Sequence, residues 1–134
     1  VSFSWDGVLK FDGETGAYVQ YTHARACSVL SKVGEPVPET FDASRLDGKE
    51  EFALVKTIYS FPDKIKLAME ELEPSIITRY LIDLAQDFNR FYNNNKIAVD
   101  DPEVRGARLA LTKAAKITLE NGLKLIGLSA PERI

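Results

Sequence analysis

The stretch Gly13-Glu14-Thr15-Gly16-Ala17-Tyr18-Val19-Gln20-Tyr21-Thr22-His23-Ala24-Arg25 gathers hydrogen-bonding and polar-tipped aromatic groups onto the opening turns of one amphipathic segment. A helix that needs only to bury one face has no use for so many of them. Unstacked bases of single strands are bound by stacking on aromatic rings and by hydrogen bonds to their edges, with basic side chains on the phosphates. Tyr18, Tyr21, Gln20 and Arg25 have that chemistry, and so does a second cluster of Asn89, Tyr92, Asn93 and Asn94. Arg105, Arg108, Lys113 and Lys116 follow as a basic series. The competing reading makes the tyrosines core residues with a wet hydroxyl and the lysines a solvated helix face. Residue types alone leave both readings open.

Catalysis finds less support. His23 is the single histidine, and neither Asp12 nor Ser28 stands at a triad spacing from it. Glu50, Glu51, Glu70, Glu71 and Glu73 are expected in solvated helix turns rather than in an acid–base pair. Gly13-Glu14-Thr15-Gly16 lacks the lysine and spacing of a phosphate-binding loop and reads as a helix-entry turn. Cys27, the single cysteine, has no partner for an internal disulfide and no ligand cluster beside it. It is expected to be a small buried apolar group in a reducing, cytoplasmic setting. No catalytic residue and no metal site is therefore expected.

Composition narrows the class without choosing the partner. Of 134 residues, 45% are hydrophobic and 28% charged, the balance of one soluble domain with a single core. No apolar run is long enough to span a membrane, and no secretory leader is recognisable. A net charge of −3 argues against a sequence-blind, phosphate-coating nucleic-acid binder. A domain that reads a few splayed bases is compatible with it.

The elements that must position these groups read as an all-α bundle of about five helices. The first is expected from Thr15 or Gly16 to Val33, with Val19, Thr22, Ala26, Val29, Leu30 and Val33 as its stripe and Gly34 as its stop. Residues 34–46, with Pro36 and Pro38, read as a loop. A second helix starts near Asp47 or Gly48 with Phe52, Val55, Ile58 and Tyr59 facing inward. Pro62 opens a third, whose buried positions are Ile65, Ala68, Met69 and Leu72. Pro74 opens a fourth, running to about Asn93 on the stripe Ile77, Tyr80, Leu81, Leu84, Phe88 and Phe91. Asp101-Pro102 caps a fifth that reaches about Leu125, and the tail from Gly127 to Ile134 is not helical by pattern.

These residues resemble the C-terminal, DALR-type anticodon-binding domain of the arginyl-tRNA synthetase family. The opening stretch is similar to that family's G-E-T-G-P-Y-V-Q-Y-x-H-A-R motif. Leu84-Ala85-Gln86-Asp87-Phe88-Asn89-Arg90-Phe91-Tyr92 resembles its L-A-x-x-F-N-x-F-Y helix. Ala107-Arg108-Leu109-Ala110-Leu111, continuing to Asn121-Gly122-Leu123, is similar to A-R-L-x-L…N-G-L, and Ala130-Pro131-Glu132-Arg133 to the terminal A-P-E-R-M. Four matches in order cover nearly the whole chain. Ala17 stands where the family has proline, and Ile134 where it has methionine.

The resemblance implies a helical domain that docks on the anticodon stem-loop of arginine tRNA. Carried over by motif, the reading residues are Tyr18 or Tyr21, Tyr92 and Ile134. Gln20, Arg25, Asn89 and Arg108 are second in rank, Arg108 having an internal brace as its alternative role. Every arginine anticodon has cytosine in the middle and G or U beside it, so the central base is expected to be specified and its neighbour tolerated. The resemblance further implies a parent ligase that uses ATP, with Mg2+, to join arginine to its tRNA. Its H-I-G-H-type and K-M-S-K-type signatures are absent here, so no cofactor and no catalysis is expected of this stretch alone.

The chain opens on Val1, as expected of a piece of a longer protein. Residues 1–16, with Phe3, Trp5 and Phe11, are expected as the junction to a catalytic domain of the same chain, and 17–134 as the helical domain. A monomer with no membrane contact is expected. The alternative is a synthetase-derived helical module that contacts other proteins.

Overall fold

The computed structural model describes residues 5–134, with side chains from residue 14 onward. Among them are helices α1 (Trp5–Val33), α2 (Lys49–Tyr59), α3 (Phe61–Glu70), α4 (Ser75–Asn94) and α5 (Pro102–Leu125), a single 3-10 turn at Ala43–Arg45, and no strand. This is the all-α bundle the periodicity predicts. Phe3 lies outside the described residues, as do the side chains of Trp5 and Phe11 on which the expected junction would dock.

Helix α4 is the centre of the bundle and packs on each of the other four helices. Its six predicted stripe positions are all buried. Each such apolar side chain contributes ~1.5–3 kcal/mol on leaving water. Tyr80 is buried without an orphaned hydroxyl, because its OH donates to the Thr57 carbonyl at 2.6 Å and its ring stacks on Phe61 at 5.4 Å. Burial pushes its phenol far up, so it remains a neutral donor. Helix α5 starts as its sequence dictates: the Asp101 side chain accepts from the Glu103 amide at 2.9 Å and Pro102 takes the first position. Farther along, α5 touches α4 so closely that a Cβ on Gly122 would lie 2.3 Å from Leu81 Cδ2.

Three expectations about the other helices need correction. Helix α1 begins at Trp5 rather than at Thr15 or Gly16, so the Gly13–Gly16 turn is helical interior and its amides are occupied by helical bonds. Gly16 has a packing reason to be there, since a Cβ would sit 2.7 Å from Leu128 Cδ1 of the C-terminal tail. On α2 the inward face is Glu51, Leu54, Val55 and Ile58, while Phe52 (64% exposed) and Tyr59 (85%) point outward. A carboxylate at the head of that stripe disguises it. On α3 only Ala68 is fully buried, and Met69 and Leu72 face solvent. The helix stops at Glu70, and Leu72 takes the left-handed position (φ 52°) of a closure in which the Glu73 amide donates to the Ala68 carbonyl at 2.9 Å.

Glu51 is 1% exposed, contrary to its expected place in a solvated turn. Its Oε1 accepts from the Gly48 amide at 3.1 Å and its Oε2 from Arg108 Nε at 3.3 Å. Arg108 also donates to the Lys96 carbonyl at 2.6 Å. Arg105 works alike, donating to Glu35 at 3.0 Å and to the Val99 and Asp100 carbonyls at 2.8 and 3.0 Å. The two arginines thus staple the loop between α4 and α5 to the bundle. Among the described residues no buried side-chain polar atom lacks a partner.

Arg108→Met should lower unfolding stability by about 3 kcal/mol, because it strands the buried Glu51 carboxylate. Urea denaturation followed by circular dichroism measures this, and Arg108→Met with Glu51→Met should recover most of the loss. By the same assay Gly122→Ala should destabilise by ~1–2 kcal/mol despite alanine's better helix propensity, since buried Leu81 has no room to move aside.

Candidate nucleic-acid interface

Helix α1 carries three kinds of side chain on three sides, and the opening stretch divides among them. Val19, Thr22 and Ala26 go into the core. Gly16, Gln20, His23 and Cys27, spaced four, three and four residues apart, make one stripe. Along this stripe Gln20 Nε2 donates to the Ser129 carbonyl at 3.0 Å, and His23 Nδ1–H donates to the Pro131 carbonyl at 2.8 Å. His23 is 1% exposed, and Cys27 Sγ lies 3.8 Å from its Nδ1. Cys27 itself is only partly buried, less than expected, though burial still raises its thiol above the ordinary range.

The third side faces α4, and Asn89 is the clamp between them. Its Nδ2 donates to the Tyr18 hydroxyl and to Thr22 Oγ1, both at 3.1 Å, and its Oδ1 accepts from Arg25 Nη1 at 2.9 Å. Arg25 Nη2 reaches the Tyr21 hydroxyl at 3.2 Å. The Arg25 guanidinium also lies over two rings, 5.2 Å from the Tyr21 centroid and 4.7 Å from that of Tyr92. Tyr92 in turn stacks along α4 on the buried Phe88 at 6.3 Å, so its ring is held in place while it stays 39% exposed.

Beside this stack opens a cleft of about 470 Å³ whose walls include Tyr21, Arg25, Lys32, Tyr92, Arg133 and Ile134. Segments from α1, the end of α4 and the tail therefore meet at one place. The cleft offers two exposed aromatic rings, three cationic side chains and, from Glu132, one carboxylate. Flat π-faces beside cations suit unpaired bases on a phosphate chain. A base stacking on the covered face of Tyr92 must displace Arg25, which would then be free to meet a phosphate.

Of the residues expected here, Tyr21, Arg25, Tyr92 and Ile134 line the cleft together. Tyr18 does not line it and joins through Asn89. Asn89 has both amide protons occupied and serves as the clamp rather than as an open reader. Gln20 turns to the tail, and Arg108 braces Glu51 and Lys96 away from the cleft. Lys32 and Arg133 were missed. Lys32 follows Arg25 by seven residues, two turns along the same face, and that spacing was the available signal. Among the described residues no group of His, Cys, Asp and Glu is placed to hold a metal ion, and no helix is long and apolar enough to cross a membrane.

Known proteins share this arrangement of helices. The family profile described as the DALR anticodon binding domain matches residues 19–134. The arginine–tRNA ligase of Clostridioides difficile is 52% identical over 99% of this chain, and that of Alkaliphilus metalliredigens 48% identical over 100%. The chain spans about a quarter of the curated relatives it matches, 24% of each of these two. Among solved structures, Thermus thermophilus arginyl-tRNA synthetase superposes with a TM-score of 0.83 at 35% identity, over 100% of this chain and 24% of its own. With a profile match across most of its length and close relatives over all of it, this chain belongs to the DALR anticodon binding domain family.

Proposed function

We propose that the cleft between α1, α4 and the tail receives the anticodon loop of arginine tRNA, and that the chain is the anticodon-binding part of an arginine–tRNA ligase. The observation that carries this reading is the convergence of Tyr21, Arg25, Tyr92 and Ile134 from three distant segments onto one basic, aromatic cleft. Family membership and the names of the relatives support it over a module reused for protein contact. Tyr92 is the stacking platform, because its ring is held by Phe88 and remains exposed. Tyr21 is the second platform, and Arg25, Lys32 and Arg133 meet phosphates. Residues 132–134 of the tail line the same cleft and face the edge of the central cytosine.

In this reading the ligase is a cytoplasmic monomer, and the chemistry belongs to its catalytic domain, where ATP with Mg2+ activates arginine. This domain contributes affinity and orientation. A central cytosine offers an amino donor and a carbonyl acceptor, and losing a matched edge costs ~1–3 kcal/mol.

Fluorescence titration of a labelled arginine anticodon stem-loop tests the site. Tyr92→Ala should weaken binding about tenfold or more, the worth of one base–aromatic stack. A stem-loop with the central cytosine replaced should bind weaker by a similar factor, while exchange of its G or U neighbour should matter less. Lys32→Ala should weaken all sequences alike and flatten the dependence of log affinity on log salt by about 0.7. Equal binding of wild type and Tyr92→Ala, or of both central bases, would contradict the assignment.

A further inference from the structure

The stripe Gly16, Gln20, His23 and Cys27 is not used by the cleft, yet it holds two of the most sequence-distant contacts in the molecule. Both polar side chains on it end on backbone carbonyls of the tail: Gln20 on Ser129, and His23 on Pro131. The tail leaves α5 through Gly127, whose φ of +80° turns the chain back, and Leu128 then packs against the backbone of Gly16. Leu128, Ser129 and Pro131 thus meet Gly16, Gln20 and His23 in the same order, and the tail runs alongside α1. It reaches the cleft only at its last residues, Glu132 to Ile134, beyond the last of these bonds. Leu128 is seated by the Gly16 notch and by its amide, which donates to the Leu123 carbonyl at 2.9 Å. The apolar packing of Ala130 does not fix how the residues beyond it lie along the helix, because such packing is not directional. The two hydrogen bonds do.

We infer that Gln20 and His23 are positioning residues: they hold the C-terminal tail in register along α1 so that residues 132–134 form the far wall of the cleft. The inference rests on the proposed RNA-binding reading for its consequence, though not for its geometry. His23, enclosed beside Cys27, donates from Nδ1 to the Pro131 carbonyl, and Gln20 guards the more exposed step before it. Neither side chain needs to touch RNA. Loosening either one lets the tail slide or fray, and the cleft loses a wall while Tyr21 and Tyr92 stay where they are.

Two readouts separate this from general destabilisation, with folding of every variant checked by circular dichroism. The first needs no RNA: backbone amide NMR order parameters at Glu132, Arg133 and Ile134 in Gln20→Ala, His23→Leu and His23→Asn. Gln20→Ala and His23→Leu should lower them, whereas His23→Asn, which keeps a donor near the Nδ1 position, should retain near wild-type values. Unchanged values in both of the first two variants would overturn the inference. The second is affinity for the arginine anticodon stem-loop in a double-mutant cycle. Gln20→Ala should weaken binding ~3–10-fold in the full chain, the scale of one hydrogen bond, and have no further effect once residues 132–134 are deleted. An equal loss in both backgrounds would mean that Gln20 acts on RNA directly and would overturn its positioning role, as would a loosened tail with unaltered affinity. Should the wild-type chain fail to bind the stem-loop at all, the RNA-binding reading falls, and the order parameters alone still decide whether the two side chains hold the tail.

Discussion

The side-chain amide of Asn89 fixes the rotation of α1 against α4, and the cleft depends on that angle. Apolar contacts such as Val19 and Ala26 against α4 and α5 hold the helices together, but they tolerate rotation. Hydrogen bonds to the Tyr18 hydroxyl, Thr22 and Arg25 do not. They demand that residues 18, 22 and 25 face Asn89 at once, which turns 16, 20 and 23 toward the tail. With α1 so set, the Arg25 guanidinium falls over both Tyr21 and Tyr92 and spaces the two rings. An Asn at this place uses an acceptor and both donors in one small group.

The molecule separates this functional seam from the parts that give it stability. Core bulk sits on α4 and α5, where Phe88, Phe91, Leu109, Leu119 and Leu123 are enclosed. The charged braces, Arg105 and Arg108, lie toward the start of α5 and tie down the connections. The cleft lies at the end of α4, where Tyr92 stacks on Phe88. Tyr92 therefore inherits rigidity from the core through a ring stack while it presents its own exposed surface. The Arg25 guanidinium, 4.7 Å from the centroid of this ring, is held there by the attraction of a cation to the π-face.

Legibility in the sequence followed how unambiguous each local signal is. Helices α4 and α5 were readable nearly to the residue, because proline and Asp101 mark their starts and a long apolar stripe leaves one inward face. Helix α2, with 11 residues, fits two faces rotated by one position, and the buried Glu51 made the wrong one look better. The start of α1 was misread because glycine is a poor helix former, and its tolerance at Gly16 depends on Leu128 more than a hundred residues away. At the site, the residue types with RNA chemistry were legible, and Tyr21, Arg25, Tyr92 and Ile134 do converge. Which way each points was not, so Gln20, Asn89 and Arg108 proved to be holding other parts of the protein. Such roles are set by tertiary partners and leave no local pattern.

Backbone amide chemical-shift mapping of the isotopically labelled chain, titrated with an arginine anticodon stem-loop, tests the cleft most directly. Shifts concentrated at Tyr21, Arg25, Lys32, Tyr92 and residues 132–134 are the predicted result. Shifts concentrated instead on the outward faces of α2 and α3, around Phe52, Tyr59 and Met69, would contradict it.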